Sequence, residues 1–322
     1  MNNKQPLLSI CIPTWNRSKF LRISLDSFLK QIKDIDINDL ELYVSDNCSE
    51  DDTPSVCQEF INRGLPLTYS RNEKNLGAAS NFVCCMNSAR GKYILLLGDD
   101  DILKDGAVKM ILDNIRGKDY GLVHIHSFAN VVDNVVEYTD HSKFIKQISY
   151  WFTFMSGNIF RKDIVDHIDY RKYIKSHLLQ MPFYITSLLS KKQNLLICQD
   201  IIEDGLDSRN NGGYNFYEVF VKNYLTIWKE YLDRGLIDFS LYKWIKKDIF
   251  VNFIVIYNKR FFVYKKDIKD DNTEYTGNRA GFKIAGANEI LHKYYGGCVY
   301  YKLYRFKLIY WLAKKSLKNQ IL

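Results

Sequence analysis

No stretch of this sequence reaches the ~18 apolar residues that a membrane-spanning helix requires. The longest apolar runs, such as Ile249 to Tyr257, are short and interrupted by Asn252. The opening residues, MNNKQPLLSICIP, lack a charged start followed by a long apolar run, so no signal peptide is expected. The seven Cys include no C-x-x-C pair and no His at zinc-binding spacing, which argues against a zinc module and against a paired disulfide framework. Cys11, Cys84 and Cys85 stand among apolar residues and read as small core side chains in a reducing compartment. No repeat and no low-complexity tract is visible. A cytoplasmic protein is expected. Acid is absent after Glu289, where Lys293, Lys302, Arg305, Lys307, Lys314, Lys315 and Lys318 supply seven positive charges. They nearly account for the net charge of +8, so the rest of the chain is close to neutral. A basic tail of this kind suits an anionic partner, either nucleic acid or a membrane surface.

What is present is enough for a sizeable core. At 322 residues and 47% hydrophobic, the chain can bury one large core or two modest ones. Its 23 Tyr combine ring area with a polar tip, a chemistry that suits sugar faces and wet interfaces alike. The first ~125 residues alternate short apolar runs with amphipathic stretches, as strand–helix units on a largely parallel sheet do. Leu7 to Ile12 reads as a buried strand ended by Pro13. Ser18 to Ile32 places Phe20, Leu21, Leu25, Phe28, Leu29 and Ile32 at helical spacing with Ser18 as N-cap. Further strands are expected at Leu40 to Val44, Leu67 to Ser70, Lys92 to Leu97 and Gly121 to Phe128, with helices at Glu50 to Asn62, Ala78 to Ala89 and Asp105 to Ile115. The run KYILLL must be buried on both faces. Beyond residue 128, FTFMSGNIFR reads as a strand around a Gly-Asn turn, helices follow from about Tyr173 to Leu189, and GLDSRNNGG (205–213) is a loop. From Tyr214 to Phe262, Tyr217, Phe220, Tyr224 and Trp228 recur on one helical face.

Ligands of open parallel sheets bind beyond the carboxyl ends of the strands. Three polar clusters fall there: Pro13-Thr14-Trp15-Asn16-Arg17, Ser45-Asp46-Asn47 and Asp99-Asp100-Asp101. Three consecutive acids after a buried strand repel one another unless a cation neutralises them. Oxygen ligands suit Mg²⁺ or Mn²⁺, especially when a diphosphate completes the shell. The competing reading is that one Asp caps the helix over Ile102 to Ile115 while the others face water. Asp46-Asn47 is also a common Asx turn, and Gly77 after Asn75 can simply open a helix.

Taken together, LLSICIPTWNR, ELYVSDNCSEDDT and NEKNLGAASNFVCCMNSARGKYILLLGDDDIL, in that order and spacing, resemble family two of the inverting glycosyltransferases. The resemblance covers residues 7 to 115 closely and extends loosely to about 165 through MSGNIFRK. It implies an α/β GT-A fold, a mostly parallel sheet flanked by helices, followed here by a helical C-terminal extension. The domain expectation is a GT-A domain over 1–213, with a nucleotide-sugar half to about 128 and an acceptor half from about 129, then a helical, basic region over 214–322. By resemblance, Pro13, Thr14 and Asn16 line the donor pocket, and Asp46 and Asn47 meet the base and ribose of a nucleoside-diphosphate sugar. Asn75 and Gly77 shape the loop beside it. By the same resemblance, Asp99, Asp100 and Asp101 hold the ribose and, through Mn²⁺ or Mg²⁺, the diphosphate.

The family's acidic pair at the start of a helix in the second half is absent; Gln180-Met181 stand in its place. His177, one turn earlier, is the local group able to accept a hydroxyl proton, with Asp169, Glu203 and Asp204 as further candidates. Arg209 is a candidate lid contact to the diphosphate. His124 and His126 fall on one side of an expected strand and, without a third ligand, read as a packed or exposed pair rather than metal-binding. The implied activity is sugar transfer to a glycan or lipid-linked acceptor in bacterial O-antigen or capsule synthesis. Two other readings compete: a catalytically silent nucleotide-sugar binding protein, and a nucleotidyltransferase, which would want a Gly-rich loop that PTWNRSK lacks. The acids of the expected cleft argue against nucleic acid. For the tail two readings stay open, an anionic membrane surface and a terminal helix packed on the domain with a solvated basic edge; on a helix Tyr301, Leu308 and Leu312 share one face and Lys307, Lys314 and Lys318 another.

Overall fold

The computed structural model describes residues 5–203, 214–258 and 285–306. The chain divides into two compact units, one of residues 1–175 and 179–207 and the other of residues 176–178 and 208–322.

The first unit is built on strands β1 (Leu8–Thr14), β2 (Leu40–Asp46), β3 (Leu67–Arg71), β4 (Tyr93–Leu96), β5 (Ile102–Leu103), β6 (Leu122–Ile125), β7 (Val135–Tyr138), β8 (Asn158–Arg161), β9 (Asn194–Ile197) and β10 (Ile202–Glu203). Eight of them form one sheet in the order β3-β2-β1-β4-β8-β6-β9-β7, while β5 and β10 make a separate antiparallel ribbon. β1, β2, β3 and β4 run parallel, as do β6 and β9. β8 is antiparallel to both of its neighbours, and β7 is an antiparallel edge strand. Helices α1 (Ser18–Gln31), α2 (Thr53–Asn62), α3 (Ala78–Ser88) and α4 (Ala107–Ile115) connect the parallel strands. Leu21, Leu25 and Phe28 of α1 recur at steps of four and three, and bury one stripe against Phe60 of α2, Ile111 of α4 and the sheet residues Ile10, Val44 and Leu95. All four residues of β4 are buried, as two covered faces demand.

Several boundaries differ from the sequence expectation for identifiable reasons. β1 runs through Pro13, which pairs in register with Ser45 of β2. β4 pairs with β1 only as far as Cys11, and the Leu97 amide closes on the Cys11 carbonyl. The N–H that proline lacks therefore falls on the side where the ladder has already stopped. Ser18 is not the N-cap of α1 but its first helical residue; its amide donates instead to Asp51 Oδ2 at 2.9 Å, so the acid that serves the helix start comes from another segment. Ile102 and Leu103 form β5 rather than the first turn of a helix, which removes the reading that one Asp of the triplet caps it. The expected FTFMSGNIFR strand keeps only Asn158–Arg161, with 3₁₀ turns at Ser149–Thr153 and Met155–Gly157 before it. β7 and β9 were not expected: each has four residues, too few to show a period, and each is fixed by its partners.

In the second unit the expected aromatic face is present: Tyr217, Phe220, Tyr224 and Trp228 are all buried. A π-helical turn, Glu218–Asn223, leads into α5 (Tyr224–Asp233), and α6 (Phe239–Asp248) leads into a second, Ile249–Ile254. The Tyr217 hydroxyl meets Asn258, whose amide donates to Tyr304 Oη at 2.8 Å. That bond ties the helical stretch 299–306 to the unit. Among the described residues no helix is long and apolar enough to cross a membrane.

Candidate active site

From β1 the chain winds through β2 to β3 on one side, then returns through α3 to β4 on the other side of β1. The strand order reverses between β1 and β4, and at such a point the loops leaving the two carboxyl ends part and open a crevice. Thr14 ends β1, and Gly98-Asp99-Asp100-Asp101 follows β4. The Thr14 hydroxyl donates to Asp99 Oδ2 at 2.7 Å. Arg17 spans the next two charges, with Nε 3.0 Å from Asp99 Oδ1 and Nη2 2.7 Å from Asp100 Oδ2. Ser156 donates to Asp101 and accepts the Gly98 amide at 2.9 Å. The turn closes with the Asp101 amide on the Gly98 carbonyl at 3.1 Å. A Cβ on Gly98 would lie 2.8 Å from Asp101 Oδ2 and 3.2 Å from Asp100 Oδ1, so both carboxylates reach back over this glycine. Burial pushes Asp99 up to about 7, against the opposing pull of Arg17 and the Thr14 hydroxyl.

The three acids are thus brought to one turn but not to one point. Asp99 faces Thr14 and Arg17, Asp100 shares that arginine, and Asp101 faces Ser156. Among the described residues no three His, Cys, Asp or Glu side chains gather as a metal cage. The hard oxygens of Asp100 and Asp101 on one side of a tight turn still fit Mg²⁺ or Mn²⁺, which take one or two protein carboxylates when diphosphate oxygens fill the remaining positions.

Register carries the site across the sheet: Thr14 pairs with Asp46, and Asp46 with Arg71 of β3. Asp46 ends β2 fully buried. Its Oδ1 accepts the Ser49 amide at 2.8 Å and its Oδ2 the Tyr69 hydroxyl at 2.7 Å, with Arg71 Nε 3.7 Å away. Burial and this carboxylate together push the Tyr69 phenol up. Asn47 is likewise directed inward: its amide donates to Asn75 Oδ1 at 2.8 Å, and its carbonyl accepts from Asn72 at 3.1 Å and from the Leu76 amide at 2.9 Å. The turn chemistry weighed for Asp46 is therefore what its carboxylate performs. Asn75 also holds the Gly77 amide at 2.8 Å, and Gly77 (φ +81°) takes the left-handed backbone that starts α3. Asn16 (φ 55°) is exposed, with its carbonyl oxygen on the Glu50 amide at 2.7 Å. Pro13 is buried inside β1.

His177 lies in the second unit, where its ring stacks on Tyr214 at a centroid distance of 5.0 Å. Arg209 and Asp204 lie outside the described residues. His124 is packed, as expected: it is fully buried, its Nδ1 is 2.9 Å from Asn158 Oδ1, and burial holds it down to about 3. Sequence reasoning missed Arg17 and Ser156. Arg17 stood in plain view as the cation next to the first cluster, facing acids across the strand-order reversal. Ser156 carries no local signal, because it reaches Asp101 from 55 residues away.

A family model described as glycosyl transferase family 2 matches residues 9–179. Abequosyltransferase RfbV of Salmonella typhimurium is 36% identical over 107 residues, 33% of this chain and 31% of the relative. The GalNAc(5)-diNAcBac-PP-undecaprenol beta-1,3-glucosyltransferase of Campylobacter jejuni is 34% identical over 108 residues, 33% of this chain and 34% of the relative. The match thus spans about a third of the length of each relative. Among solved structures, S. aureus TarS in complex with UDP-GlcNAc superposes with a TM-score of 0.60 over 81% of this chain and 76% of that one, at 17% identity. At that identity the likeness shows the fold, which is the mixed α/β fold of GT-A proteins.

Proposed function

Because the chain belongs to glycosyl transferase family 2, we propose that it moves one sugar from a nucleoside-diphosphate sugar to a hydroxyl of a glycan or lipid-linked acceptor during synthesis of a bacterial surface polysaccharide. The observation that carries this reading is the Thr14–Asp99–Arg17–Asp100 constellation at the reversal point of the sheet, where a crevice meets fixed charge. The donor's base and ribose sit along the row from Asp46 and Asn47 to Asn75, Gly77 and Asn16, with Asp99 on the ribose and Pro13 and Thr14 forming the floor. Asp100 and Asp101 would hold a divalent cation on the diphosphate, and that ion, when bound, would offset the charge building on the leaving group. Arg17 orients the two carboxylates beside it, and Arg209 is proposed as the residue that closes on the diphosphate.

The transfer is a single in-line displacement. The acceptor oxygen bonds to the anomeric carbon as the carbon–oxygen bond to the diphosphate breaks with inversion. The diphosphate leaves with the electron pair, and the hydroxyl proton passes to a base. On its place in the chain alone, His177 is proposed for that role. A second reading is a protein that binds a nucleotide sugar without turning it over, favoured by the Gln180-Met181 pair where an acid is expected. Turnover with a matched donor and acceptor separates the two. The carboxyl-terminal segment is proposed to rest on an anionic membrane surface, since six cations between Lys302 and Lys318 would each contribute about 1 kcal/mol there. In the structure Tyr301 and Tyr304 pack inward, whereas Val299, Leu303 and Phe306 are exposed. The apolar face offered to lipid is therefore theirs rather than that of Tyr301.

The test is a thermal-shift screen of nucleoside diphosphates with and without Mn²⁺. A ligand at 100 times its Kd stabilises by about 2.7 kcal/mol, so one base should stand out and its shift should grow with metal. No shift from any nucleoside diphosphate would overturn the reading.

A further inference from the structure

Arg17 stands where helix chemistry disfavours a cation. It is the N-cap residue of α1, its side chain makes no capping bond, and the first turn of the helix carries no acid. Ser, Thr, Asp or Asn serves a helix start better, and a positive charge opposes the positive end of the helix dipole. The backbone around it is fixed on both sides. Asn16 takes a left-handed turn (φ 55°), with its amide on Ser49 Oγ at 2.9 Å and its side-chain oxygen on the Glu50 amide at 2.7 Å. The Ser18 amide is held by Asp51, and the Arg17 carbonyl accepts the Phe20 and Leu21 amides. Only the side chain is left to move. It runs over the Phe20 ring, with the guanidinium carbon 5.0 Å from the ring centroid.

What the guanidinium reaches from this position is the acid turn, with Nε beside Asp99 and Nη2 beside Asp100. The Asp100 end is open to water: the Arg17 and Asp100 side chains are each 22% exposed, against 8% for Asp99. Asp100 also has two claims on it. Its Oδ2 faces Arg17, while its Oδ1 turns back over Gly98 beside Asp101 Oδ2. A divalent cation on Asp100 and Asp101 would therefore share a carboxylate with a guanidinium. Two like charges so placed weaken each other's hold.

We propose that Arg17 is an exchangeable counter-ion: it neutralises Asp100 until a nucleoside diphosphate arrives, then passes its Nη end to the phosphate oxygens and releases Asp100 to the divalent cation. The inference rests on the metal–diphosphate reading above and adds how metal and donor come to bind together. Guanidinium suits the exchange, because its planar fork matches a carboxylate and a phosphate alike. Nε keeps Asp99 throughout, so the side chain stays rooted while its far end changes partner. Metal alone is then disfavoured, and metal and nucleotide raise each other's affinity by the same factor. A purely structural ion pair has the opposite consequence: losing Arg17 would loosen the turn and weaken metal binding.

Electron paramagnetic resonance decides between the two, since the signal of free Mn²⁺ falls as the ion is bound. The full chain is titrated with Mn²⁺ alone, and again with UDP, GDP, CDP and dTDP in turn. Arg17→Ala should bind Mn²⁺ alone at least about tenfold more tightly than wild type, and adding Asp100→Asn should remove the gain. Arg17→Lys keeps the charge but lacks the fork that spans both carboxylates, so its gain should be smaller, about threefold; it carries the test if Arg17→Ala does not fold. The nucleotide that wild type favours should raise Mn²⁺ affinity by a smaller factor in Arg17→Ala than in wild type. Mn²⁺ binding by the Arg17 variants that is equal to or weaker than wild type, with nucleotide still raising it in wild type, would overturn the exchange and leave the donor reading standing. No Mn²⁺ bound by any of these chains with any nucleotide would instead overturn the metal reading, and the exchange with it.

Discussion

Gly98→Ala inserts one methyl group at the centre of the proposed diphosphate turn. Its Cβ would meet Asp101 Oδ2 at 2.8 Å and Asp100 Oδ1 at 3.2 Å, where relaxed contacts to carbon begin at about 3.5 Å. Both opposing atoms are the ends of short side chains, so the carboxylates swing away and the backbone stays. The cost to the fold is that of mild overpacking, about 1–3 kcal/mol, and includes the charge-assisted bond from Ser156 to Asp101, itself about 1.5–3 kcal/mol before water replaces it. For a chain of this size that is a fall in Tm of roughly 2–4 °C per kcal/mol, well short of unfolding. Binding suffers more in proportion, because the two carboxylates no longer present their oxygens together. Calorimetric titration with the best nucleoside diphosphate and Mn²⁺ should show affinity lowered by about 10- to 100-fold, or about 1.4–2.8 kcal/mol. A folded variant that binds with wild-type affinity would refute the assignment of Asp100 and Asp101 to the diphosphate.

Other expectations follow from the same contacts. His124 is neutral when folded, with its pKa held down to about 3 by burial, and titrates near 6.5 when unfolded. The stability it contributes is therefore complete above about pH 6.5 and lost as pH falls toward 3, at about 1.4 kcal/mol per unit. Unfolding free energies of wild type and His124→Gln from urea titrations should converge by about 2–3 kcal/mol between pH 6.5 and 4.5; a difference independent of pH would remove the argument. His177→Ala should lower turnover about 100-fold or more with donor affinity unchanged, and unchanged turnover would eliminate His177 as the base. A chain ending after Phe306 that also carries Leu303→Ser and Phe306→Ser should lose flotation with anionic liposomes at low salt. Equal flotation of this variant and the full chain would end the membrane proposal.

The polar clusters of the first half were legible in the sequence because each ends a strand that neighbours another such strand. PTWNR, SDN and GDDD follow three apolar runs, and parallel pairing lines up their carboxyl ends without further information. What the sequence could not show was how the acids are partnered. Arg17 joins Asp99 to Asp100 across 82 residues of chain, so a triplet that reads as three metal ligands becomes an ion-paired turn once folded. The exposure of Asp46 was also hidden. Its place after an apolar run gave no sign of its burial, whereas it ends β2 in register with Thr14 and Arg71 and is fully buried. The short strands β7 and β9 fell below any readable period, although β9 pairs with both β6 and β7 and so extends the sheet on that side.

The difference between the two halves has a physical origin. In the first half, successive strand–helix units each deliver one polar cluster to the same edge of the sheet, in the spatial order β3-β2-β1-β4. On the other side, β8 inserts antiparallel between β4 and β6, and the segment before it approaches the same edge from the opposite direction. Ser156, Phe154 and Trp151 therefore meet the edge in reverse, closest to the diphosphate turn first. Changes at Trp151 or Phe154 leave the Ser156–Asp101 contact in place, because Asn158 pins both carbonyls independently of their rings.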